Sequence, residues 1–175
     1  MILEEILAEY RRYQSMAELA VAQISEKDVQ KIFGDEGNSI EIIMNHVSGN
    51  LRSRFTNFLT EDGEKLWRNR DSEFEEQNKT KEQLLADWKE SFEIVFKEVG
   101  SLTIEALNNK IKIRGNELTV SAALERSLAH TSYHVGQIVL LAKFFAGNKW
   151  KTLSIPKGKS QEYNSNPTKE KIPNK

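Results

Sequence analysis

A chain of 175 residues and 20.1 kDa, 38% hydrophobic and 29% charged, has the composition of one globular domain with at most a short appendage. With no cysteine and a formal charge of −1, the sequence excludes a disulfide scaffold, a thiolate-ligated metal and any electrostatic case for nucleic acid. No window approaches 18 uncharged apolar residues, and Met1-Ile2-Leu3-Glu4-Glu5 lacks the basic and apolar regions of a signal peptide. No membrane partner and a cytoplasmic location are therefore expected.

The apolar residues Leu3, Ile6, Leu7, Tyr10, Ala17, Ala20, Val21 and Ile24 recur at the helical period and predict a first helix, broken by Gly34 to Gly37. A second helix is expected from Asn38 as N-cap, with Glu41 at the capping-box position, through Ile42, Ile43, Val47, Leu51, Phe55 and Phe58, ending before Gly63. Residues 60–78 are polar and read as irregular, with Trp67 and Phe74 tucked against the body. A third helix starts at Thr80, with Gln83 three residues on, and stops at Gly100. Ile111 and Ile113 alternate with basic residues before Gly115-Asn116, which predicts a small hairpin. The last helix, from about Thr119 to Ala146 with Gly147 as its cap, is apolar on more than one side and should pack on several neighbours.

All three prolines, Pro156, Pro167 and Pro173, fall beyond this last helix, as a helical body requires. Residues 149–175 hold seven lysines against Glu162 and Glu170, a net of +5 that leaves −6 for residues 1–148. The expected organisation is an all-α four-helix bundle over 1–148, with a hairpin before the last helix. A basic tail over 149–175 follows, docked to about 160 through Trp150, Leu153 and Ile155 and disordered beyond. Gly158-Lys159-Ser160 is not a phosphate-binding loop, because Leu153 stands where the first glycine belongs.

The three histidines carry the chemical signal. His130 and His134 stand at i and i+4, so both imidazoles leave one face of the last helix. His46 lies mid-helix, on a face shared with Ile42, Ile43 and Asn50. Together the three make a facial nitrogen set that water would complete, leaving positions open for a substrate. The ordinary alternative is three satisfied core histidines. Against it stand the polar neighbours Arg126, Ser127 and Gln137 on the one helix, and Asn50 and Ser53 on the other, since buried polar groups need partners. Thr131 occupies the position of the glutamate in His-Glu-x-x-His, which excludes a zincin peptidase.

Four segments, Asn45-His46-Val47-Ser48-Gly49-Asn50-Leu51-Arg52-Ser53-Arg54, Thr60-Glu61-Asp62-Gly63-Glu64-Lys65-Leu66-Trp67-Arg68-Asn69-Arg70-Asp71, Leu128-Ala129-His130-Thr131-Ser132-Tyr133-His134-Val135-Gly136-Gln137-Ile138 and Leu153-Ser154-Ile155-Pro156-Lys157-Gly158-Lys159-Ser160, resemble the DinB/YfiT-like superfamily of metal-dependent bundle proteins, in one of its uncharacterised branches. The resemblance covers most of residues 1–162. It implies a four-helix bundle whose three histidines bind a divalent metal, often in a homodimer. Some relatives are thiol S-transferases and one is a metal-dependent hydrolase, so the reaction class does not transfer.

The leading expectation is a divalent-metal-dependent enzyme, of hydrolase or thiol-transferase type. It would bind zinc, nickel or iron at His46, His130 and His134 and activate water or a small thiol. Asn50, Arg126 and Gln137 are the expected contacts to a small-molecule substrate, with Arg126 and Gln137 alternatively serving to hold the histidines. No catalytic residue is assigned; Tyr133, beside His134, is the weak candidate for a base. The competing expectation is a non-catalytic metal-binding or stress-response bundle. Trp67 to Asp71 reads either as an anion-binding edge of the cavity or as a loop pinned by Trp67 with Arg70 paired to Asp71 or Glu73. Arg54 is two turns from His46 and equally open.

Overall fold

The structure, a computed structural model, describes residues 2–167; the part of the basic tail expected to be disordered at 168–175 lies outside the described residues. Helix α1 (Ile2–Val21) buries Leu3, Leu7, Tyr10, Ala17, Ala20 and Val21 along one stripe, as its period requires. Helix α2 (Ile40–Phe55) is capped by Ser39, whose hydroxyl accepts from the Ile42 N–H at 3.2 Å, so the cap is one residue later than the expected Asn38. Glu41 then sits at the second helical position. Its carboxylate does not turn back to the cap but accepts the Lys79 N–H at 2.7 Å, fastening α2 to the segment that leads into α3. Helix α2 also stops at Phe55, short of Phe58: Thr56 leaves helical dihedrals and Asn57 adopts φ 52°.

Helix α3 (Lys81–Gly100) has the expected capping box, Thr80 and Gln83 each accepting the other's backbone N–H. Strands β1 (Lys110–Ile113) and β2 (Asn116–Thr119) pair antiparallel, with Ile111 opposite Leu118. Their two-residue turn is Arg114-Gly115 rather than Gly115-Asn116. Both turn residues have positive φ (55° and 74°), the handedness that matches strand twist. Helix α4 (Val120–Ala146) starts at the Thr119 cap and ends at Gly147, whose φ of 54° suits a residue without Cβ. A five-residue helix α5 (Ser160–Asn164) follows, in a stretch expected to be disordered.

The core is dry and aromatic where α1, α2 and α3 meet. Tyr10 sets its ring edge-on to Phe55 and Phe92 at centroid distances of 6.1 and 6.3 Å, and Trp88 packs on Phe92 at 4.9 Å. The Trp88 indole donates to the Gln14 carbonyl, which satisfies its one polar atom. Helix α2 packs most extensively on α3, and α1 on α4, whereas α2 and α4 meet more sparingly. That looser seam is where the histidines lie. Beyond α4, Trp150 and Leu153 pack against the core, Gln23 exchanges hydrogen bonds with the backbone of Lys151, and Ile155, expected to dock with them, is exposed.

Candidate metal centre

The geometry of α2 and α4 brings the three histidines together. His46 is buried and the other two are half-buried, and their ligand nitrogens all lie within 4.8 Å of one another. The ring centroids are 5.2 Å (His46 to His130), 5.0 Å (His46 to His134) and 4.6 Å (His130 to His134) apart.

Hydrogen bonds fix which nitrogens face inward. The Glu73 carboxylate lies 2.9 Å from His46 Nδ1, and a carboxylate can only accept, so Nδ1 carries a proton and, in the neutral ring, Nε2 presents its lone pair. Gln137 does the same for His134: its Oε1 lies 2.9 Å from Nδ1 and leaves Nε2 unprotonated. His130 Nε2 approaches His46 Nε2 to 3.2 Å, and His130 Nδ1 is buried without a partner. Two nitrogens on one ion, at bond lengths of about 2.0–2.1 Å, stand roughly 3.0–3.4 Å apart, which this pair already matches. The residues therefore fit a divalent cation: imidazole nitrogens that converge on one space, two of them with the tautomer fixed by a neighbouring side chain. Burial pushes the pKa of His130 down to about 4, with the neighbouring His134 and His46 adding to it, and burial likewise lowers His134, where Gln137 opposes it. Both shifts favour the neutral, ligating form.

The residue that sequence reasoning missed is Glu73, which comes from a 3-10 turn (Asp71–Phe74) inside the segment expected to be irregular. Its second partner is Arg68, whose side chain is only 2% exposed and which grips it with two bonds, Nε to Oε1 at 2.7 Å and Nη2 to Oε2 at 2.8 Å. Burial would raise the Glu73 pKa, but the bonds from His46 and Arg68 outweigh it and hold the group ionised. One sequence signal pointed here. Gly49, in the interior of α2, is where an added Cβ would collide with the Glu73 carboxylate. A helix-interior glycine costs roughly 0.5–1 kcal/mol relative to alanine, and close approach of another group is what offsets it.

The loop before that turn differs from expectation. Trp67 is 60% exposed and pins nothing, while Phe74 is half-buried and packs on His46 at 4.8 Å between centroids. Arg68, not Arg70, pairs with Glu73; the Arg70 guanidinium lies over the Phe74 ring at 4.9 Å. A cavity of about 170 Å³ opens beside His46 and His130, and Asn50 and Arg126 line it together with Ser127, Arg54, Arg70 and Arg114. Gln137 is found at His134 instead. Tyr133 is 65% exposed, its ring centroid 5.0 Å from that of His134.

Fold and site together define an all-α bundle with a histidine cluster between two of its helices. The chain belongs to the family described as a protein of unknown function (DUF1572), whose profile matches residues 1–159. That span takes in the Trp150 segment and ends just before α5. No curated protein and no solved structure matches it.

Proposed function

We propose that the protein is a divalent-metal-dependent enzyme of the DinB/YfiT type, in which His46, His130 and His134 hold one ion and leave further positions open to a substrate. The observation that carries this reading is the pair of Nδ1 hydrogen bonds, from His46 to Glu73 and from His134 to Gln137, which aim two Nε2 lone pairs into one space. A core histidine needs only a partner; it does not need two neighbours with the same tautomer set by separate side chains. Zinc, nickel and iron all suit imidazole nitrogen and water. When bound, such an ion lowers the pKa of a water or a thiol and so supplies the nucleophile that this cysteine-free chain lacks.

The protein's own part is positioning. Glu73 orients His46 and is itself held by Arg68, Gln137 orients His134, and Asn50 and Arg126 offer polar contacts at the cavity wall. The exchangeable water or thiol would enter from the α2–α4 seam, where a cavity opens beside His46 and His130. The bundle over 1–148 would form the working unit, with the segment to about 160 docked on it.

The test is turnover by untagged, metal-loaded protein on ester substrates and on thiol alkylation with an electrophilic dye. Activity that disappears with a chelator and in His130→Ala supports the enzyme. Full metal loading with no turnover in either assay, and no thiol bound at millimolar concentration, favours a non-catalytic metal-binding bundle.

A further inference from the structure

We propose that the cavity beside the histidines takes a compact ligand whose non-reacting end is a doubly charged oxyanion, a phosphate monoester or a dicarboxylate. The proposal rests on reading the histidine cluster as the reactive end of the same cavity. Four guanidiniums line that space, each from a different element: Arg54 from α2, Arg70 from the loop ahead of the 3-10 turn, Arg114 from the hairpin turn and Arg126 from α4. The chain has eight arginines and 17 lysines, and no lysine lines the cavity. Either residue would supply charge. What arginine adds is a planar fork of donors matched to the paired oxygens of a carboxylate or phosphate.

The charge is also left unbalanced. Among the described residues, Glu64 is the one carboxylate that pairs with any of the four, and it is shared by Arg54 at 2.9 Å and Arg114 at 3.2 Å. Arg70 and Arg126 pair with none, so the four guanidiniums exceed Glu64 by three charges, and by two when Asp62, which lies near Arg54, is counted. Glu73 adds nothing to the balance, being consumed by Arg68 and His46. Crowding of like charge is visible at Arg54: burial lowers its pKa, Glu64 offsets part of that, and Arg68 and Arg114 lower it further. Arg54 is mostly buried and the other three guanidiniums are exposed at the rim, so the cost is like-charge crowding around one hollow, which an entering dianion would relieve. The placement of Arg70 suits this use. Its flat face rests on Phe74, which in turn packs on His46, so the N–H edge of the guanidinium stays available. With about 170 Å³, the cavity falls below the roughly 300–1,000 Å³ of pockets that enclose drug-sized ligands, and so admits a small head group.

The test is calorimetric titration of the full chain with inorganic phosphate, malonate and acetate at fixed ionic strength, with and without zinc, alongside metal analysis of each sample. The expected result is binding of phosphate or malonate at least tenfold tighter than acetate. In Arg70→Gln/Arg126→Gln that affinity falls by about tenfold per arginine removed, the loss of one charged hydrogen bond each. Both positions are exposed, so the double variant should keep its melting temperature and its zinc. Tighter phosphate than malonate points to a phosphate monoester, and the reverse to a dicarboxylate. Equal affinity for all three anions, no binding by zinc-loaded protein, or unchanged affinity in the double variant overturns the proposal. Failure of the metal reading shows separately, as wild type that takes up no zinc.

Discussion

Helix α2 faces two different environments, and the contrast explains how this protein divides stability from chemistry. Toward α1 and α3, Leu51 and Phe55 enter a core with Tyr10, Trp88 and Phe92, where the Trp88 indole and the Ser91 hydroxyl each donate to a backbone carbonyl. Toward α4, the same helix presents His46 to a seam in which His130 Nδ1 and Thr131 Oγ1 are buried with no partner. Each such group costs about 1–3 kcal/mol if nothing meets it. A bundle that filled this seam with leucine would gain stability. The polar seam is therefore a feature that stability alone does not explain, and it coincides with the convergent histidines.

The largest expected separation between the two regions comes from Trp88→Ala. Emptying that fully buried site should cost about 3–5 kcal/mol and a corresponding fall in melting temperature, while metal stoichiometry at low temperature is unchanged. Loss of metal together with the core would show that the two regions are not separable. On the other side of α2, Glu73→Gln and Gln137→Leu should each weaken metal affinity by about 10- to 100-fold, as removal of groups that orient ligand histidines commonly does. Glu73→Gln should also destabilise the fold, because it strands the buried Arg68 charge; Gln137→Leu should not. Competition against a chelator of known affinity reads the first effect, and thermal denaturation the second.

Much of the fold and the gathering of the three histidines was legible because it rests on period. Helices announce themselves through apolar spacing, and His130 and His134 need only α4 to share a face. The partners of the site were hidden because Arg68, Arg70, Glu73 and Arg114 lie in a loop, a 3-10 turn and a hairpin turn, where no repeat tells which way a side chain points. Gly49 was the exception, a helix-interior glycine whose reason is Glu73. The Ser39 cap was misplaced by one residue because Asn38 and Ser39 are both good caps, and only the hydroxyl's bond to Ile42 decides between them.

A smaller effect is expected at the edge of the site. Asp62 accepts the backbone N–H groups of Arg114 at 2.8 Å and Gly115 at 2.7 Å, and so holds the hairpin turn against the loop that follows α2. The backbone N–H of Glu64, then that of Gly115, hold its carboxyl below the ordinary aspartate value of 3.8. A depressed folded-state pKa means that this contribution is present above 3.8 and is lost as the pH falls through the lower, folded-state value. Asp62→Asn should cost about 0.5–1 kcal/mol at neutral pH, kept small by solvent, and should make acid unfolding less steep. An unchanged acid transition would show that the turn is held by the strands alone.

The most direct test of the metal centre is the metal content of the protein purified without a histidine tag, after loading with zinc and removal of the excess. One ion per chain in the wild type and none in His130→Ala is the result predicted from the convergent Nε2 atoms. Full stoichiometry in His130→Ala, or a wild type that retains no ion, would contradict it.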